Sequence, residues 1–115
     1  MRQERRTSQR VRCLLPVRLY PRGHLKVIET LSLDMSQNGL RVVIPAASVP
    51  APKTFSLDLN LGDVQTPIQL AAEVVWSRPM AHSEQHEVGL LFKNHSDKIT
   101  KRLSSYIEHL SKQPS

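Results

Sequence analysis

Along most of the chain, apolar and polar residues alternate with a period of two, the pattern of strands with one buried and one solvated face. Val11, Cys13, Leu15, Val17 and Leu19 share one face, with Arg12 and Arg18 on the other. After a turn signal at Pro21–Arg22–Gly23, a second stretch sets Leu25, Val27, Leu31 and Leu33 on one face, interrupted by Glu29. Asp34 to Gly39 reads as a polar turn, and Leu40, Val42 and Ile44 begin a third alternation. A loop rich in proline and alanine (Pro45, Pro50, Pro52) precedes a fourth, Phe55, Leu57, Leu59 and Leu61, which ends near Gly62–Asp63. Ile68, Leu70, Ala72, Val74 and Trp76 make a fifth. A polar loop from Arg78 to His86 leads to the sixth, Val88, Leu90 and Phe92. Six half-buried strands separated by turn residues predict an all-β, antiparallel barrel or sandwich.

The period changes near Ser96. Ile99, Leu103, Tyr106, Ile107 and Leu110 recur every three or four residues, which places them on one face of a helix over about residues 96–110. Ser96 or Asn94 is positioned to cap it, and Asp97 suits the positive end of its dipole. The expected architecture is therefore a six-stranded antiparallel β-barrel with a C-terminal α-helix.

Residues 1–10 lie outside this pattern. They hold no apolar residue beyond Met1, add nothing to a core and read as a mobile arm, with the barrel and helix occupying residues 11–115. The charge is concentrated at that end. Residues 1–26 carry eight basic residues against Glu4, a net of +7, so the remainder contributes −1 to the chain's +6. Clustered arginine calls for a partner bearing phosphate or carboxylate, which guanidinium grips in a two-pronged fork.

At 115 residues the chain forms one domain, large enough to fold without a disulfide or a metal. A single cysteine, Cys13, excludes an intrachain disulfide and fits a reducing compartment. The apolar runs fall short of the roughly 20 residues that span a bilayer. No apolar segment of a secretory signal follows the basic start. The expectation is a cytoplasmic protein without membrane insertion.

Two short constellations carry the chemistry. Arg6 and Arg10 stand four apart in the arm, and across the second strand comes Asp34–Met35–Ser36–Gln37–Asn38–Gly39. Paired guanidiniums suit phosphate oxygens, the face of a purine and the O6/N7 edge of guanine. The opposite guanine edge, N1–H and N2–H2, needs an acceptor such as Asp34, with Ser36 free to give or take one further bond. Gly39 suits a positive φ or a close approach of backbone to a ligand. A guanine nucleotide satisfies both constellations.

The order RxxxR, a strand, then DxSxxG resembles the PilZ family, whose members are receptors for the bacterial second messenger cyclic di-GMP. Val74–Val75–Trp76–Ser77–Arg78 and Val88–Gly89–Leu90–Leu91–Phe92 are similar to the family's later strands, so the resemblance covers residues 5–110. It implies that Arg6 and Arg10 are the arm's ligand-binding arginines and that Asp34, Ser36 and Gly39 form the barrel side of the site. A basic residue just before the first motif arginine accompanies a stacked pair of ligands in the family, and Arg5 holds that position. Arg41 faces outward, opposite Leu40 and Val42, within reach of a phosphate or of solvent. Trp76 shares the parity of Ile68, Leu70 and Val74 and reads as core, although the resemblance also offers its ring to a bound guanine.

Other functions find less support. His82 and His86 with Glu84 and Glu87 have the spacing of metal ligands on a helix, yet they lie between two strands with no cysteine nearby, so no metal site is expected. No nucleophile–base pair or phosphate-binding glycine loop stands out, so neither catalysis nor a cofactor is expected. A nucleic-acid-binding barrel with a basic arm is the alternative. It is disfavoured because the five aromatics (Tyr20, Phe55, Trp76, Phe92, Tyr106) fall mostly at core positions instead of offering stacking surfaces. The expected role is a ligand-binding adaptor that passes its signal to a downstream protein.

Overall fold

Where turns are short, neighbouring strands must run antiparallel, and every pairing in the computed structural model does so. The structure describes residues 10–21, 26–46, 54–61, 67–93 and 95–111. Within them lie β1 (Val11–Arg12), β2 (Pro16–Pro21), β3 (Ile28–Ser36), β4 (Gly39–Pro45), β5 (Thr54–Leu59), β6 (Ile68–Pro79), β7 (Gln85–Lys93) and α1 (Asp97–Ser111). Strand β3 pairs β2 on one side and β4 on the other; β4 continues to β7, then β6, β5 and back to β2. This closes a six-stranded barrel, and closure satisfies the sheet edges an open sheet would expose. The seventh strand, β1, lies beside the end of β3, in line with β2.

The period-two reading predicts the inward face of most strands. Leu15, Val17 and Leu19, then Leu40, Val42 and Ile44, then Phe55, Leu57, Leu59 and Leu61, and finally Val88, Leu90 and Phe92 are all buried in one core. Burying each such side chain contributes about 1.5–3 kcal/mol, which is what holds the barrel closed.

The expected first strand is split in two. Between β1 and β2 the side chain of Leu14 swings out to 68% exposure, and Ser32, fully buried, stitches the break. Its Oγ donates to the Cys13 carbonyl at 2.6 Å and accepts from the Leu15 N–H at 3.0 Å.

Two further departures matter more. In β3, Ser32 pairs with Val42 and Asp34 with Arg41, so Leu33 is an extra residue, a β-bulge. The expected inward set of Leu25, Val27, Leu31 and Leu33 is overturned: before the bulge the even positions face inward, so Ile28 and Ser32 are buried and Val27 and Leu31 exposed, while at and after it Leu33 is half-buried and Met35 lines the interior. Leu25 lies outside the described residues. In β6, Val74 pairs with Leu90 and Trp76 with Gly89, leaving Val75 as the extra residue. The bulge reverses the face of all that follows, so Trp76 stands on the outer wall at 39% exposure instead of in the core. Alternation counted along the sequence cannot register an unpaired residue.

The polar turn expected over Asp34 to Gly39 is shorter than predicted. Asp34 and Ser36 belong to β3, Gly39 opens β4, and only Gln37 and Asn38 form the turn. Likewise β6 runs through Arg78 and β7 begins at Gln85, so the connection is Met80 to Glu84, with His82 left-handed at φ 58°. The predicted turn after Pro21, most of the loop after Pro45, the Gly62–Asp63 strand end and the alternative cap Asn94 lie outside the described residues.

Helix α1 starts as its sequence predicts. The Ser96 Oγ accepts the Ile99 N–H at 3.3 Å, capping one of the orphan donors of the first turn. Leu103 and Ile107 are buried, with Ile99 and Tyr106 packed beside the core, and the helix lies against β3 and β1. Ser104 fastens it to the β3–β4 turn, its Oγ 2.7 Å from Gln37 Oε1. No helix among the described residues is long and apolar enough to cross a membrane.

Candidate functional site

The bulge at Leu33 delivers Asp34 to the outer wall, where β1 and β4 flank it. Arg12 stands opposite on one side and Arg41 on the other. Arg10, just ahead of β1, folds back over the same carboxylate. Its Nε and Nη2 lie 3.1 and 3.0 Å from Asp34 Oδ1. Arg41 takes the other oxygen, Nε at 2.9 Å and Nη2 at 2.6 Å from Oδ2. Four charge-assisted donors thus enclose a carboxylate with 12% of its side chain exposed. Burial alone would push this carboxyl up, but the hydrogen bonds and charges of Arg41 and Arg10 outweigh it and hold Asp34 below its ordinary value.

The row of charges continues around the barrel. The Nη1 of Arg41 donates to Glu87 Oε2 on β7, and Arg78 on β6 reaches Glu87 Oε1 with Nε and Nη2, each at 3.1 Å. The guanidinium of Arg78 in turn lies 5.3 Å from the centre of the Trp76 ring, within cation–π range. Across β3, β4, β7 and β6 the order is Arg10, Asp34, Arg41, Glu87, Arg78, Trp76. Arginines outnumber carboxylates in this strip, so its surface favours an anion.

Two glycines allow this surface to be flat. A Cβ on Gly39 would overlap the Leu90 carbonyl oxygen, and one on Gly89 would overlap the Trp76 indole. The φ of Gly39 lies outside the left-handed region, so its requirement is the close approach of β7 and not a turn conformation. Ser36 is buried, and its Oγ accepts the Asn38 N–H at 3.1 Å, fixing the turn between β3 and β4. Between the arginines that flank Asp34 lies a hollow of about 630 Å³ lined by Arg12, Cys13, Leu14, Leu33 and Arg41. A hollow of about 880 Å³ lined by Tyr20, Asp58, Gln69, His95 and Ile99 among others has no arginine among the described residues, and its Asp58 already accepts the Tyr20 hydroxyl at 2.8 Å. A third, of about 580 Å³, sets Arg18 against Glu29 and Asp58. The hollow with Arg12 and Arg41 carries no carboxylate in its described lining and suits a phosphate better than either.

The residue model of the PilZ domain matches residues 4–109, nearly the whole chain. The chain belongs to the PilZ family. Solved structures share the fold. The inhibitor of motility MotI/DgrA of Bacillus subtilis aligns with a TM-score of 0.75 at 23% identity, over 95% of this chain and 53% of that one. The PilZ domain of Escherichia coli YcgR, solved with cyclic di-GMP, aligns at 0.67 and 15% identity over 93% and 92% of the two chains. The Borreliella burgdorferi PlzA protein, also solved with cyclic di-GMP, aligns at 0.61 and 10% over 93% and 54%. This PilZ chain thus spans about half the length of MotI/DgrA and PlzA. No curated protein matches it.

Of the site residues expected from sequence, the structure brings Arg10, Asp34 and Arg41 into direct contact and sets Ser36 and Gly39 at the adjoining turn. Trp76 lies at the far end of the strip. Arg5 and Arg6 lie outside the described residues. Sequence reasoning missed Arg12, Glu87 and Arg78 as parts of this PilZ surface. Glu87, considered above as a metal ligand, is instead engaged by two guanidiniums. Gly89 was the available signal, because a glycine inside an apolar strand marks something lying close across it.

Proposed function

We propose that this PilZ domain is a cyclic di-GMP receptor that acts as a non-enzymatic adaptor in the bacterial cytoplasm. The reading rests above all on Asp34, turned outward by the bulge and clasped by Arg10 and Arg41 in a chain carrying both family motifs. The same groups suit the ligand's two chemistries. Asp34 accepts from the guanine N1–H and N2–H2, while Arg10 and Arg6 grip phosphate and the O6/N7 edge. In the free protein Arg10 and Asp34 satisfy one another, so the ligand exchanges one set of charge-assisted hydrogen bonds for another and leaves no buried charge bare. The neighbours solved with cyclic di-GMP support the choice of ligand.

Binding draws the arm, residues 1–10, across the wall beside Asp34 and Gly39, starting from Arg10, which already rests on Asp34 without ligand. Ligand phosphates relieve the mutual repulsion of the arm's arginines and offset the ordering entropy, about 1–2 kcal/mol per backbone residue. The fixed arm is the surface a downstream protein reads. Amide hydrogen exchange tests this: residues 2–10 gain protection with ligand while β5 changes little, and an arm equally protected with and without ligand removes the switch.

Calorimetric titration of the full chain with cyclic di-GMP at physiological salt tests the receptor itself. Saturable binding supports it. Absence of binding, together with association to generic DNA or RNA that falls steeply with salt, would hand the function to the nucleic-acid alternative.

A further inference from the structure

Glu87 is a carboxylate almost fully buried on a barrel wall that ought to attract anions. Such a charge costs free energy unless it is paired, and here both of its oxygens are taken. Oε2 accepts from Arg41 and Oε1 accepts from both prongs of Arg78. Arg41 is therefore gripped from two sides, by Asp34 through Nε and Nη2 and by Glu87 through Nη1. Arg78 is held by Glu87 and lies against Trp76. Without Glu87 the Arg78 guanidinium would swing on a flexible stem and Arg41 would be held from one side only, and ordering them at the moment of binding would subtract from affinity.

We infer that Glu87 is a positioning residue: it locks Arg41 against Asp34 and joins that pair mechanically to the Arg78–Trp76 stack, making one rigid ligand face. The inference rests on the receptor function proposed above for its binding consequence, but its structural half stands without any ligand.

The sign of one substitution separates positioning from plain charge. Glu87→Gln keeps the size of the side chain and deletes a negative charge beside a site for phosphates. Coulomb attraction alone predicts tighter cyclic di-GMP binding. Positioning predicts weaker binding, by about tenfold, the equivalent of one charge-assisted hydrogen bond. The loss disappears in an Arg41→Gln background, because Glu87 acts through Arg41; an equal loss there, or tighter binding in the single variant, overturns the inference.

Trp76 is the chain's one tryptophan, so its fluorescence reports the other end directly. In ligand-free Glu87→Gln protein, Arg78 leaves the indole and the emission moves to longer wavelength; an unchanged spectrum overturns the coupling. If wild-type protein fails to bind cyclic di-GMP, the function proposed above falls, and the emission measurement alone decides the role of Glu87. Should Glu87→Gln not fold, Arg78→Lys serves. It keeps the charge but loses the planar fork, so a red-shifted Trp76 and weakened binding support the inference, and no change in either overturns it.

Discussion

Replacing Arg10 by alanine separates binding from folding more cleanly than any other change in this domain. Arg10 precedes β1, takes no part in the barrel's core, and keeps 44% of its side chain exposed while it forks Asp34 Oδ1. An ion pair open to solvent on one side contributes no more than about 1 kcal/mol to stability. Asp34 also retains both prongs of Arg41 at Oδ2, so no buried charge is left bare. For a domain near 100 residues, about 1 kcal/mol corresponds to roughly 4–8 °C in Tm, so the melting temperature of Arg10→Ala falls by less than about 8 °C. Binding loses far more. Charge-assisted hydrogen bonds from a guanidinium contribute about 1.5–3 kcal/mol, so cyclic di-GMP affinity drops about ten- to a hundredfold. Calorimetry and thermal melts on the same preparation read both quantities. Affinity within twofold of wild type refutes the role of Arg10, and a Tm loss well beyond 8 °C shows that the arginine supports the fold.

Gly39→Ala forces a methyl group onto the Leu90 carbonyl and should destabilise the barrel by about 1–3 kcal/mol in urea titration; unchanged stability would refute the close-approach argument. Asp34, whose carboxyl is held below its ordinary 3.8, contributes stability that is fully present above that value and lost as pH falls through its lower folded value. Melts taken from pH 5 downward should therefore show a loss in wild type that Asp34→Asn lacks, and parallel curves would contradict it. Arg5, outside the described residues, is proposed to admit a second, stacked ligand, since a third guanidinium would offset the repulsion of four phosphodiester charges. Titration should saturate at two equivalents and fall to one in Arg5→Leu, and saturation of wild type at one rejects the assignment.

The alternation of Leu40, Val42 and Ile44, or of Phe55, Leu57 and Leu59, was legible because regular pairing preserves parity from end to end. It was misleading at Trp76 because a bulge precedes it, and a bulge is a property of two strands, not of one; at Val27 and Leu31 it misled because these apolar side chains lie on the exposed face. The helix was readable down to its cap at Ser96, since its signals are local. Asp34 and Arg10 could be named because both sit in short motifs. Glu87 and Arg78 could not, because they join the site only through the pairing of β4 with β7, far apart in sequence, and through the bulged register of β6 against β7.

The extra residue at Leu33 makes the site depend on strand register as well as on chemistry. Were Leu33 to pair with Arg41 instead of bulging, every letter of RxxxR and DxSxxG would stay in place. Yet β3 would resume strict alternation, and Asp34 would move opposite Leu40, take the parity of Ser32 and turn inward among the apolar lining. Its carboxylate would lose Arg10 and Arg41 in the same stroke and enter the core unpaired, a state the fold has no means to stabilise. A search by motif would still find the protein intact, although its binding face had been turned inside out.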